Sequence, residues 1–180
     1  MNKAAFLDRD GVINVKAPEG QYVTRWEEVR FLPGVATAIS RLNKSGFRVI
    51  VISNQRCVAK GLVTSAEVEA LNQRICKELA GLGAVIDAVY FCPHDTEPPC
   101  DCRKPAPGML LQAAREHQID LGASWMIGDS DADVAAGKNA GCTTVLIGRR
   151  ESSTANPPDL FADSLLDATE KILESHHSPH

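Results

Sequence analysis

The chain has 180 residues, 44% apolar and 23% charged, a balance that suits one globular domain with a sizeable core. Its net charge of −4 argues against a nucleic-acid protein working through a basic surface. No apolar run approaches the roughly 18 residues that a membrane span requires.

Residues 4–7 read as a short strand that stops at Asp8. Pro33 and Gly34 open a helix with Val35, Ile39 and Leu42 on one face, closed by Gly46. Residues 47–52 form a near-continuous apolar run, the pattern of a strand buried on both faces, and lead to Ser53-Asn54-Gln55. Thr64 and Glu67 make a capping box for a helix that turns Val68, Leu71, Ile75 and Leu79 inward. A third strand is expected at 88–91, a helix at 108–117, a fourth strand at 125–127, a helix at 132–140 and a fifth strand at 143–147. A polar connection over 151–158 precedes a last helix at 165–173. Residues 1–174 are expected to be one domain and 175–180 a disordered tail. Strands alternating with helices predict an α/β fold, a doubly wound parallel sheet. The start of the chain lacks the long apolar stretch of a signal peptide, so a cytoplasmic protein is expected.

In such a sheet, ligands sit beyond the carboxyl ends of the strands. Asp8 and Asp10 fall after the first strand, Ser53 after the second and Asp129 after the fourth; Lys104 follows the loop after the third. Asp8 and Asp10 are two apart, so in extended chain both carboxylates face one side. One can attack while the other moves a proton. The acids at 129, 131 and 133 resemble the start of an EF-hand, but Val134 stands where glycine is needed and Ala140 where a bidentate glutamate is needed. Asp129 beside Asp8 instead suits Mg²⁺, a hard cation usually held by one or two carboxylates and a phosphate. Asp131 reads as charge complementing a helix N-terminus. Lys104 and Ser53 can clamp a phosphoryl group.

Three of the six cysteines lie within eleven residues, with His94 among them. Cys92, His94, Cys100 and Cys102 give the spacing C-x-H-x5-C-x-C, which suits a closed, structural tetrahedral Zn²⁺ site. The segment 95–99 has no apolar residue except proline, so a metal staple would fix it and aim Arg103 and Lys104.

Asp8-x-Asp10, Ser53, Lys104 and Gly128-Asp129-x-x-x-Asp133, in this order, resemble the four motifs of the haloacid dehalogenase (HAD) superfamily of phosphohydrolases over residues 3–148. The stretch Asp8-Arg9-Asp10-Gly11-Val12-Ile13-Asn14, the Cys/His loop, and Cys102-Arg103-Lys104-Pro105 running on to Gly108-Met109-Leu110 are similar to a narrower subfamily. That subfamily comprises heptose-bisphosphate phosphatases and their histidinol-phosphate relatives. The resemblance implies a HAD-like phosphatase that removes the 7-phosphate of a heptose 1,7-bisphosphate, with histidinol phosphate as the alternative substrate. It implies Asp8 as nucleophile, Asp10 as general acid and base, and Ser53 and Lys104 on the transferring phosphoryl. Mg²⁺ would be held by Asp8, the Asp10 backbone carbonyl and Asp129. Asn54, Gln55, Arg56, Arg103 and Lys104 would bind a small phosphorylated sugar. With only about twenty residues (13–32) between the first motif and its helix, no cap domain is expected. A monomer is expected, with no nucleic-acid or membrane partner. Where the subfamily usually has Asn-Gln-Ser-Gly and then Ala-Arg-Gly, this chain has Asn54-Gln55-Arg56-Cys57 and then Ala59-Lys60-Gly61. A receiver-like phosphorylation switch would carry its acceptor aspartate after the third strand, where this chain has Cys92-Pro93-His94.

Overall fold

The computed structural model describes residues 1–148, 151 and 155–177. The order of elements is β1 (Lys3–Leu7), α1 (Val35–Lys44), β2 (Phe47–Asn54), α2 (Ser65–Gly81), β3 (Ala88–Cys92), α3 (Gly108–His117), β4 (Trp125–Gly128), α4 (Asp131–Ala140), β5 (Thr143–Ile147), β6 (Leu160–Ala162) and α5 (Leu165–His177). One six-stranded sheet runs β3-β2-β1-β4-β5-β6, and every pairing in it is parallel.

The apolar runs are explained by burial on both faces. Ala5, Leu7, Val49, Val51 and Ile127 pack in one core with the inward faces of α1, α2 and α5. Their alternating neighbours Ala4, Phe6, Ile50, Ile52 and Met126 pack in a second core with α3 and part of α4. The Thr64 capping box is formed: Glu67 N–H donates to Thr64 Oγ1 at 3.2 Å, and Thr64 N–H donates to Glu67 Oε2 at 2.7 Å.

The last helix runs to His177, so it takes in part of the stretch expected to be a disordered tail; 178–180 lie outside the described residues. Between the connection over 151–158 and that helix lies β6, a strand the sequence did not reveal, whose three residues pair with Val145, Leu146 and Ile147. Three residues are too few to display a period, and the pairing comes from the edge β5 offers. Part of that connection, 152–154, lies outside the described residues. No helix among the described residues is long and apolar enough to cross a membrane.

The chain leaves β1 to build one half of the sheet and returns on its other side with β4. Strand order therefore reverses between β1 and β4, and a crevice opens beyond their carboxyl ends. Asp8 and Asp129 stand at that point.

Candidate active site

Asp8 follows β1 directly and receives Lys104 Nζ at 2.9 Å on Oδ1. The Lys104 ammonium also donates to Ile52 O at 2.7 Å and lies 2.6 Å from Asp133 Oδ1. The ammonium thus faces three protein oxygens, two as hydrogen-bond acceptors and Asp133 as an ion-pair partner. Lys104 is 4% exposed and Asp133 1%. Burial opposes the charge on Lys104, but Asp133 and Asp8 outweigh it and hold the ammonium above its usual range. Burial, then repulsion from Asp133, pushes Asp8 up to about 8 although Lys104 pulls the other way. The acids outnumber the buried cation here.

Asp133 is held by the turn that starts α4. Ser130 caps the helix, with its N–H and Oγ donating to Asp133 Oδ2 at 3.1 and 2.6 Å, which leaves Oδ1 for Lys104. This reciprocal cap is legible as Ser130-x-x-Asp133, but the ion pair with Lys104 is not. Two glycines permit the close approach. Gly11 has φ +90°, and a Cβ there would overlap Asp129 Oδ2; a Cβ on Gly128 would overlap the Asp133 side chain. Gly11→Ala combines a left-handed backbone with that clash. It is expected to lower kcat at least about tenfold, a cost of roughly 1.4 kcal/mol in the barrier. A steady-state assay of the purified variant checks it.

The donors fit two different metals. Asp8, Asp129 and Asp133 offer carboxylate oxygens that all lie within 4.8 Å of one another, a hard, net-negative set suited to Mg²⁺. Asp10 contributes no side-chain oxygen to that group; its carboxylate accepts from Asn14 Nδ2 at 3.0 Å and Gln55 Nε2 at 3.1 Å. The ligand sulfurs and nitrogen of Cys92, His94, Cys100 and Cys102 also lie within 4.8 Å of one another. Cys100 Sγ lies 3.6 Å from Cys92 and Cys102, His94 Nδ1 lies 3.4 and 3.3 Å from those two, and Cys92 and Cys102 are 3.0 Å apart, with no disulfide. A zinc tetrahedron with Zn–S of about 2.3 Å has edges of about 3.8 Å, so most of these separations are near what the ion requires.

Around Asp8 opens a cleft of about 360 Å³, walled by residues 16–23 on one side and by Asn54, Arg56, Arg103 and Ser130 on others. No cap domain stands over it among the described residues. The expected substrate residues divide by what they touch. Arg103 lines the cleft, with one guanidinium nitrogen donating to His94 O at 3.2 Å. Arg56 pairs with Asp95 at 2.5 Å. Both arginines are therefore moored to the Cys/His loop.

Asn54 and Gln55 line the cleft but use their amides on the protein. Asn54 accepts from Lys104 N–H at 3.0 Å and donates to Lys104 O at 3.1 Å, clasping the lysine's backbone. Gln55 Nε2 donates to Asp10 and, at 2.6 Å, to Ser53 Oγ. Ser53 is the penultimate residue of β2, is 1% exposed and lies beneath the cleft floor. Lys60 stands over the Tyr22 ring at 5.5 Å. Lys16, which the spacing did not single out, reaches across the mouth to Asp129 Oδ2 at 3.2 Å.

A doubly wound sheet with a buried lysine between two acids at its switch point, a third acid opposite and no cap defines a phosphohydrolase of the HAD type. A HAD-hydrolase-like family model matches residues 101–168. The chain is 46% identical over 145 residues to D-glycero-beta-D-manno-heptose-1,7-bisphosphate 7-phosphatase of Rhodopseudomonas palustris, covering 77% of this chain and 79% of that one. It is 40% identical over 195 residues to D-glycero-D-manno-heptose-1,7-bisphosphate 7-phosphatase of Thermosynechococcus vestitus, covering 98% and 97%. A crystal structure of D,D-heptose 1,7-bisphosphate phosphatase from B. bronchiseptica, complexed with magnesium and phosphate, superposes with a TM-score of 0.86 at 32% identity, covering 96% and 99%. The chain belongs to this family of HAD phosphatases.

Proposed function

We propose that the chain is a Mg²⁺-dependent phosphomonoesterase that removes the 7-phosphate of a heptose 1,7-bisphosphate by way of an aspartyl-phosphate on Asp8. The observation that carries the reading is the Lys104 ammonium wedged between Asp8 and Asp133 at the switch point. An anionic nucleophile approaches a phosphate dianion only where positive charge offsets their repulsion, and Lys104 is held there permanently.

Asp8 Oδ attacks phosphorus, and the bond to the sugar oxygen breaks with its electron pair taking a proton from Asp10. Water then attacks the aspartyl-phosphate and gives a proton to Asp10, and the Asp8–phosphorus bond breaks to release phosphate. Lys104 stabilises the charge on the transferring oxygens, and Ser53, whose Oγ accepts from Gln55 Nε2, keeps its own O–H free to donate to them. Mg²⁺, held by Asp8, Asp129 and the Asp10 backbone carbonyl, would supply further positive charge at those oxygens. Asp133 serves by fixing Lys104.

Arg103, with Arg56 nearby, is the candidate grip for the second phosphate, since a guanidinium matches phosphate geometry. Phosphate release from heptose 1,7-bisphosphate, heptose 7-phosphate and histidinol phosphate tests the assignment. The bisphosphate is expected to have the highest kcat/KM. Arg103→Ala is expected to remove most of that preference, roughly one to two orders of magnitude for a charged contact of about 1.5–3 kcal/mol. A preference for histidinol phosphate overturns the substrate.

The Cys/His loop is a structural Zn²⁺ site that moors both arginines. Purified protein is expected to carry about one tightly bound zinc per chain. Cys100→Ser is expected to raise KM more than it lowers kcat, with the Mg²⁺ requirement unchanged. Full activity in a demonstrably zinc-free sample refutes this role.

A further inference from the structure

Arg9 lies between the two catalytic acids in sequence, yet it points away from the cleft and is 2% exposed. One guanidinium nitrogen, Nη1, donates to Asn72 Oδ1 on α2 at 3.0 Å. The other, Nη2, donates to Val23 O in the cleft wall at 3.0 Å and to Asp10 Oδ1 at 3.2 Å, and lies 3.5 Å from Gln55 Oε1. A buried guanidinium thus joins α2, the wall and the Asp10 carboxylate.

Asn72 is what sets this arrangement apart from ordinary packing. It is 5% exposed on the inward face of α2, among the buried apolar residues Val68, Leu71, Ile75 and Leu79. Its Nδ2 has no partner among the described residues. The opposite amide orientation would set donors against donors at Arg9. Asn72 therefore carries an unsatisfied buried N–H group while giving Arg9 one acceptor, a neutral one that leaves the guanidinium charge facing Asp10.

We infer that Arg9 and Asn72 are positioning residues for proton transfer by Asp10: Asn72 anchors the guanidinium, and the guanidinium holds the Asp10 carboxylate at its working angle. This rests on the acid role of Asp10 given above. When the P–O bond breaks, an alkoxide-like sugar oxygen needs Asp10's proton, whereas a nitrophenolate leaves without it. A loss confined to proton transfer therefore falls on alkyl and not on aryl phosphates.

The test compares kcat/KM, which reports aspartyl-phosphate formation, for the preferred sugar phosphate and for p-nitrophenyl phosphate. The variants are Asn72→Leu and Arg9→Lys, with Asp10→Asn as reference. Asn72→Leu is expected to lose about tenfold or more on the sugar phosphate and less than about threefold on the aryl phosphate, a fraction of the 10²–10⁴ typical of general acid catalysis. Arg9→Lys, which keeps the charge but not the fork, is expected to show the same selectivity. Should Asn72→Leu not fold, Asn72→Ser carries the comparison. Equal losses on both substrates in the Asn72 and Arg9 variants, beside a selective loss in Asp10→Asn, overturn the positioning role alone. Equal losses in Asp10→Asn overturn the acid role of Asp10 and this inference with it.

Discussion

Asp8→Asn is expected to reduce kcat by more than a hundredfold, about 3 kcal/mol or more in the barrier, while the protein stays folded. The amide keeps the shape of the carboxylate but cannot form the aspartyl-phosphate, and it removes one negative charge from the Mg²⁺ site. Asp8 is buried beside Asp133, and that environment disfavours its charged form. In the absence of Mg²⁺, a neutral isostere there is expected to leave the melting temperature equal to or above that of the wild type. Phosphate release and thermal unfolding, measured on one preparation, check both halves. Residual kcat above about a hundredth of wild type would show that another group is the nucleophile.

Lys104→Met is expected to cost both activity and stability. Methionine fills a similar volume, but Asp8, Asp133 and the Ile52 carbonyl all lose their partner. Removing one member of a buried ionic group leaves uncompensated charge and typically costs about 3–5 kcal/mol. Protonation of a carboxylate relieves part of that, so the lower end is expected in urea unfolding. For turnover, the loss of a preorganised charge at the transferring oxygens corresponds to roughly 10²–10³ in kcat. Lys104→Arg should not rescue it, because the planar fork cannot reproduce three partners converging on one nitrogen. Wild-type kcat in Lys104→Met would remove Lys104 from the reaction.

Much of the architecture and of the site's membership lay in local sequence. Strands buried on both faces must be apolar at every position, which made residues 47–52 legible. The Thr64 box at the start of α2 was legible because its two partners are only three residues apart. The Cys92, His94, Cys100 and Cys102 cluster was legible because all four residues fall in one loop. Asp8 and Asp129 stood out through their places at strand ends in a parallel sheet, Lys104 through its place in the loop after the third strand, and all three through resemblance to known motifs.

What each side chain touches was decided only by the tertiary structure. Parallel pairing sets β1 against β4 across more than a hundred residues of chain, and that contact brings Asp8 to Asp129 and fits Gly11 against it. Asn54 was expected as a substrate contact, and only the folded chain shows that the loop after β3 also presents the backbone of Lys104 to its amide. Arg9 had no assigned role in the sequence, and its contact with Asn72 of α2, 63 residues away, appears only in the folded chain. The sequence by itself determined which chemical groups are available and near which strand ends they lie, since those follow from periodicity and spacing. Which of these groups pair, and which remain open to a substrate, was determined by the folded chain, because partners 50 to 100 residues apart are chosen by sheet order and helix docking, which no local pattern records.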